Sequence, residues 1–194
     1  SLGLETRGAV VTDAGSFVLA HNGRVSRSVD GGDSFVPVSF PNVNVRDAVG
    51  IPGGVFVVSS GEVFRSVNDG QSFASVPASV SGAARAVRHA NGNLLVTGSF
   101  AVNLLSTDNG ATFSSVESFG ALEAGAVVVG DRIVMADSDG FGTRLWQLGN
   151  TGAMTPVPRV SNGRVDTTLL SLDAFDDGRI VGSGLDGALL VFGP

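Results

Sequence analysis

Ser28-Val29-Asp30-Gly31-Gly32-Asp33-Ser34-Phe35 decides how this chain is read, because the stretch returns twice. The later copies are Ser66-Val67-Asn68-Asp69-Gly70-Gln71-Ser72-Phe73 and Ser106-Thr107-Asp108-Asn109-Gly110-Ala111-Thr112-Phe113. The third residue of the pattern steps from 30 to 68 to 108, a period of 38 and then 40. A period of that size marks one supersecondary unit copied along the chain.

The residue types explain what the repeat does. Asp and Asn side chains bond backbone groups a residue or two ahead, and Gly takes the positive φ of a tight turn. The Ser hydroxyl two residues earlier ties the end of the preceding strand to the same turn. The Phe three residues after the Gly starts the next strand and can point into a core. The pattern is therefore a self-bonded hairpin turn with an aromatic anchor: Ser28, Asp30, Gly32 and Phe35, then Ser66, Asn68, Gly70 and Phe73, then Ser106, Asp108, Gly110 and Phe113.

These three stretches resemble the Asp-box, or BNR repeat, of sialidase-like β-propellers. The resemblance implies a turn between the third and fourth strands of each blade, on the face opposite the usual ligand face. Asn68 stands where the family has Asp, which keeps the turn chemistry.

Working outward from each box, turn signals divide the chain into units of four short strands. The second unit reads as strands over 45–50, 55–59, 62–67 and 72–76, separated by Pro52-Gly53-Gly54, Ser60-Gly61 and the box. The fourth unit has Gly149-Asn150-Thr151-Gly152 in place of a box, without the Ser and the Phe. The fifth ends after a third strand near 188–192. An unpaired edge there is an aggregation liability. The expected fold is all-β, a five-bladed β-propeller of four-stranded antiparallel blades, within the range of that architecture. Its blades fall near 8–39, 44–78, 83–117, 122–159 and 166–193. Residues 2–6 are expected to supply the missing strand of the last blade and close the ring, so that 1–194 is a single domain.

Composition agrees. Gly makes up 28 of 194 residues, about twice the usual ~7%, and charged residues are 15% against a typical ~25%. Many short apolar strands joined by tight turns have this profile, and disordered chains do not. A net charge of −6 argues against a general grip on nucleic-acid phosphates. No apolar run approaches a membrane-spanning length and no signal-peptide pattern is present, so no membrane insertion is expected. The chain has no Cys, so its redox compartment is not legible.

Catalytic sets are missing. The resemblance to sialidases would imply a Tyr nucleophile, and the chain has no Tyr. Glycosidases otherwise need two facing carboxylates. Glu123, Asp166 and Asp47 lie near the starts of inner strands, but no spacing pairs them. His21 and His89 fall at different phases of the repeat, so no metal site and no cofactor is expected. Asp137-Ser138-Asp139-Gly140 lacks the later ligands of a calcium loop and reads as a turn.

One constellation suggests binding. Arg7, Arg46 and Arg85 are 39 and 39 residues apart, in step with Phe17, Phe56 and Leu95. The spacing puts the three arginines at the entry of three consecutive inner strands, where they would rim a central channel. Guanidinium groups so placed suit a carboxylate, a phosphate or an acidic partner side chain. Ala124 takes that phase in the fourth unit, which breaks the ring. Phe100 and Phe141 fall in loops of the same presumed ligand face, as expected for protein contact or sugar stacking. The function expected is therefore a non-catalytic, rigid protein–protein interaction or structural module whose partners are other protein chains. The composition resembles virion components such as phage tail or head-decoration proteins. The alternative is a carbohydrate-binding lectin with a glycan on the loop face.

Overall fold

The computed structural model describes residues 5–78, 84–88, 92–98, 103–116, 122–130, 132–138, 143–148, 153–157, 164–165, 169–184, 187 and 189–192. These are strands and turns, arranged as five antiparallel sheets. Sheet 1 is β1 (Thr6–Val11), β2 (Phe17–His21), β3 (Arg24–Ser28) and β4 (Val36–Val38). Sheet 2 is β5 (Val45–Ile51), β6 (Gly54–Ser59), β7 (Val63–Ser66) and β8 (Ala74–Val76). Sheet 3 is β9 (Ala84–Arg88), β10 (Leu94–Gly98), β11 (Asn103–Ser106) and β12 (Ser114–Val116). Sheet 4 is β13 (Leu122–Val129), β14 (Arg132–Ser138), β15 (Thr143–Leu148) and β16 (Met154–Pro156), with β17 (Arg164–Val165) also on β15. Sheet 5 is β18 (Leu169–Ala174), β19 (Ile180–Gly184) and β20 (Leu189–Phe192). The strands of each sheet pair in chain order, apart from β17.

The sheets pack face to face in sequence. Inner strand β1 lies beside β5, β5 beside β9, β9 beside β13 and β13 beside β18. Both faces of a middle sheet are therefore buried. This is why β6 and β10 are apolar runs rather than alternating ones, and why every residue of each is buried. One apolar layer joins sheets 1 and 2 through Val18, Val25, Val55, Val57 and Phe64. The next joins sheets 2 and 3 through Ile51, Phe56, Val58, Leu94, Val96 and Leu104. A third joins sheets 3 and 4 through Leu95, Leu105, Ile133, Met135 and Leu148. Val129, Val134 and Ile180 join sheets 4 and 5.

The boxes form the turns that the residue types require, with one addition. In each, the Ser hydroxyl donates to the third-position side chain and accepts the Gly N–H; Ser66 does so at 2.9 and 2.9 Å, Ser106 at 2.7 and 2.8 Å. Asp30 and Asp108 also accept the N–H and the hydroxyl of Ser34 and Thr112. In the second box the amide of Asn68 instead donates to Ser72. The addition is that the turn wedges against the preceding sheet. A Cβ on Gly70 would lie 2.6 Å from Val18 Cγ2, and one on Gly110 2.9 Å from Phe56 Cδ2. Gly32, at the same place in sheet 1, has nothing within 4 Å.

The box phenylalanines precede the outer strands, each of which starts one residue after its Phe. They are half-buried rather than enclosed. Phe73 packs on the layer between sheets 1 and 2, edge-on to Phe40 at 5.3 Å. Phe113 packs on the layer between sheets 2 and 3, 5.5 Å from Phe56. Phe35 joins no such layer among the described residues. The expected closure is not seen either. Thr6 pairs with His21 and the Glu5 carbonyl accepts the Asn22 N–H, so Thr6 starts β1 and Glu5 leads into it. Residues 2–4 lie outside the described residues, and β20 pairs with β19 alone among those described.

Candidate functional site

The sheets present two faces. One carries the starts of the inner strands, the turns after β2 and β6, and the connections between sheets; Gly23 N–H donates to the Val43 carbonyl there and Ser60 N–H to Asn44. This is the entry face. The opposite, turn face carries the first hairpin turn of each sheet and the boxes.

Arg7 and Arg46 sit at equivalent positions of the entry face for a reason that spacing alone does not show. Each is the extra residue of a β-bulge. The ladder of sheet 1 skips from Thr6 to Gly8, and that of sheet 2 from Val45 to Asp47. The same break recurs at Ala124, between Glu123 and Gly125, and at Leu170, between Leu169 and Ser171. A bulge re-aims the residue it adds and commonly sits beside functional surfaces. Ala124 thus holds the phase that its position in the repeat predicts. Arg85 does not. It pairs with Thr97 in an unbroken ladder, in register with Gly8 and Asp47 rather than with the other two arginines. The register also aligns Val18, not Phe17, with Phe56 and Leu95. Turns that differ by a residue conceal this offset, so equal spacing overstated a three-fold equivalence.

Arg7 and Arg46 stand on neighbouring strands, β1 and β5, that approach closely. A Cβ on Gly8 would lie 2.7 Å from Ala48 N. Arg7 is exposed and binds Glu5 at 2.8 Å. Arg46 is half-buried, and its Nε is buried with no hydrogen-bond partner among the described residues. A buried, charged donor left unbonded costs free energy, of order 1–3 kcal/mol or more. Arg85 is exposed on its own strand. Beside them, His21 is 2% exposed and its Nδ1 lies 3.3 Å from Thr6 Oγ1. Burial, then the charge of Arg24, push its pKa down, so it is neutral near pH 7. Asp47 accepts the Ala48 N–H at 2.8 Å. Asp166, His89, Phe100 and Phe141 lie outside the described residues, as does the side chain of Glu123.

On the turn face the structure shows an arrangement that the repeat pattern did not reveal. Arg27, on β3, donates from Nε to the Asp69 carbonyl at 2.6 Å and from its terminal nitrogen to the Asp69 carboxylate and, at 2.8 Å, to Ser16 Oγ. Thr12 and Ser16 also donate to that carboxylate. Burial pushes the Asp69 pKa up, but these hydrogen bonds and the charge of Arg27 outweigh it and hold the group below its ordinary value. Arg65, on β7, donates to the Asn109 carbonyl at 2.9 Å. A third-strand Arg thus grips the next sheet's box at a residue with positive φ, 61° at Asp69 and 57° at Asn109. The signal was available: Arg27 and Arg65 each directly precede the box Ser.

No protein-family model matches the chain, and no curated protein matches it. Solved structures do. YCF48 bound to D1 peptide superposes with a TM-score of 0.69 at 16% identity, covering 97% of this chain and 66% of that one. Virginiamycin B lyase from Staphylococcus aureus, with quinupristin, gives 0.70 at 11% identity, over 99% and 71%. The WD40 β-propeller domain of Doa1 gives 0.60 at 16%, over 92% and 60%. The chain spans about two thirds of the length of the first two. At these identities the likeness concerns the fold, and its neighbours include both enzymes and binding modules. With five sheets packed inner strand to inner strand, the chain is an all-β protein of the β-propeller fold.

Proposed function

We propose that this chain is a non-catalytic propeller module that binds an acidic segment of a partner protein on its entry face. Its five sheets act as five blades of a rigid support. The observation that carries this reading is Arg46. It stands on a bulge, half-buried, with an Nε unbonded among the described residues, and the neighbouring blade has an arginine at the same position. A carboxylate bridging Arg46 and Arg7 would satisfy the buried donor and offset the repulsion of two cations, and guanidinium–carboxylate pairs are strong when partly desolvated. That YCF48 is seen with a peptide is consistent with this use of the fold. A virion setting would supply such a protein partner; the lectin alternative would use aromatics such as Phe100 and Phe141, which lie outside the described residues.

The test is a titration with a fluorescein-labelled peptide of five glutamates at low salt. Binding that weakens at least tenfold in Arg46→Gln supports the proposal. Equal affinity in wild type and Arg46→Gln, with both folded, overturns it.

A further inference from the structure

Three of the layers between sheets are built alike near the entry face. An alanine or valine of the second strand pairs there with a valine or leucine of the third. The pairs are Ala20 and Val25 between sheets 1 and 2, Val58 and Val63 between sheets 2 and 3, and Ala136 and Leu145 between sheets 4 and 5. Between sheets 3 and 4 the same register puts Thr97 opposite Asn103. Side chains alternate along a strand, so Thr97 points the way of Leu95 and Asn103 the way of Leu105, into the layer shared with sheet 4. Thr97 is 2% exposed and Asn103 1%. Neither amide atom of Asn103, Nδ2 nor Oδ1, has a hydrogen-bond partner among the described residues. A buried amide without partners costs free energy that hydration relieves, and parting the two sheets is what lets water reach it.

The turn-face end of the same seam lacks the fastenings of its neighbours. Arg27 grips the box of sheet 2, and Arg65 that of sheet 3. Gly70 and Gly110 seat those boxes tightly against Val18 and Phe56. Leu105 takes the place of the two arginines, since it pairs with Leu95 as they pair with Val18 and Phe56. Sheet 4 brings no box toward it, because Gly149-Asn150-Thr151-Gly152 lacks the Ser and the Phe. The seam is held by its apolar middle: Leu95, Leu105, Ile133, Met135 and Leu148. It has a polar pair at one end and, among the described residues, no arginine clamp at the other.

We propose that the seam between sheets 3 and 4 is a hinge line built into the fold. Sheets 1 to 3, fastened by their boxes, move as one body, and sheet 4 swings away from it with its own ladder intact. The opening hydrates Asn103 and Thr97 and uncovers Leu95 and Met135. Local openings of this kind arise where a structure is least fastened. Arg7 and Arg46 both belong to the fastened body, so the hinge stands independently of the acid-binding reading.

Thiol labelling under native conditions tests the hinge. The chain has no Cys, so one introduced Cys is the sole reporter. Leu94 and Leu95 are consecutive on β10 and fully buried, Leu94 in the layer toward sheet 2 and Leu95 in the layer toward sheet 4. The 194-residue protein carrying Leu94→Cys or Leu95→Cys is treated with a thiol-reactive dye at urea concentrations below the unfolding transition. Expected is labelling of Leu95→Cys at least tenfold faster than Leu94→Cys, with a weaker dependence on urea, since opening a seam exposes less surface than unfolding does. Asn103→Val, which installs the residue found at Val25 and Val63, should slow labelling of Leu95→Cys at least fivefold and leave Leu94→Cys unchanged. Met135→Cys reads the opposite wall of the seam and replaces Leu95→Cys if that variant does not fold. Equal rates at the two leucine positions would overturn the proposal. So would a seam thiol whose rate climbs with urea as steeply as global unfolding, or one that Asn103→Val leaves unchanged.

Discussion

Alanine in place of Gly110 probes the wedge of a box against the neighbouring sheet, and Gly32→Ala supplies its control. Both glycines have positive φ, 78° and 99°. Alanine pays about 1–2 kcal/mol in the left-handed region. It recovers about 0.4–1 kcal/mol from a less flexible unfolded chain. That leaves a net backbone cost near 1 kcal/mol for both. The surroundings differ. The new methyl of Gly32→Ala meets nothing within 4 Å, whereas that of Gly110→Ala would lie 2.9 Å from Phe56 Cδ2 and 3.2 Å from Leu94 Cδ2. Neither neighbour can step aside, because both are fully buried and Phe56 also packs on Phe113. Overpacking of a close-packed core costs about 1–3 kcal/mol. Gly110→Ala should thus cost about 2–4 kcal/mol. At roughly 2–4 °C per kcal/mol for a chain of this size, its Tm falls by roughly 4–16 °C, against roughly 2–4 °C for Gly32→Ala. Calorimetric melts of the two variants decide it. Equal losses would refute the wedge and leave the box a purely local turn.

The Arg27–Asp69 clamp should show coupling of about 0.5–3 kcal/mol in a double-mutant cycle of Arg27→Met and Asp69→Ala, read from urea unfolding; additive losses would make the contact incidental. His21, with its pKa depressed in the folded state, binds fewer protons than the unfolded chain below about pH 6.5. Stability is therefore full above that pH and falls as the pH drops toward the folded value. His21→Gln should flatten the urea midpoint between pH 7 and 5, and an unchanged slope would contradict this. Asp108 has its pKa lowered to about 2: burial raises it, but bonds from Thr112, Ser106 and Ala111 prevail. Its contribution is complete above the ordinary Asp range and is lost as the pH falls toward 2. Asp108→Asn should fold normally at pH 7, as Asn68 does natively in the second box, with a shallower acid limb in a pH melt; a steeper one would refute the assignment.

Fold legibility followed the strength of local chemistry. Strands β5 and β6 were each placed to within a residue, because Pro and Gly set turns whose positions leave few alternatives. The outer strands came out shorter than expected, since the box Phe serves the inter-sheet layer instead of the ladder. Thr6 was assigned to the closing strand, but a bulge beside it lets β1 run back to that residue. Bulges are the general reason why the site was half legible. They change which residue faces where without altering composition, so Arg7 and Arg46 were found as a pair but Arg85 was grouped with them by distance along the chain. The clamp from Arg27 to Asp69 spans 42 residues, and no local rule marks a pairing between neighbouring copies of a repeat.

The binding claim stands or falls on Arg46. Its side-chain Nε–H resonance, assigned by loss of the signal in Arg46→Lys, can be followed while the five-glutamate peptide is titrated at low salt. The expected result is a saturating shift of the Arg46 signal together with that of Arg7, while the signals of Arg27 and Arg65, held by their box carbonyls, stay in place. Signals of Arg46 and Arg7 that do not move at saturating peptide, or that move no more than those of Arg27 and Arg65, would contradict an acid-binding rim.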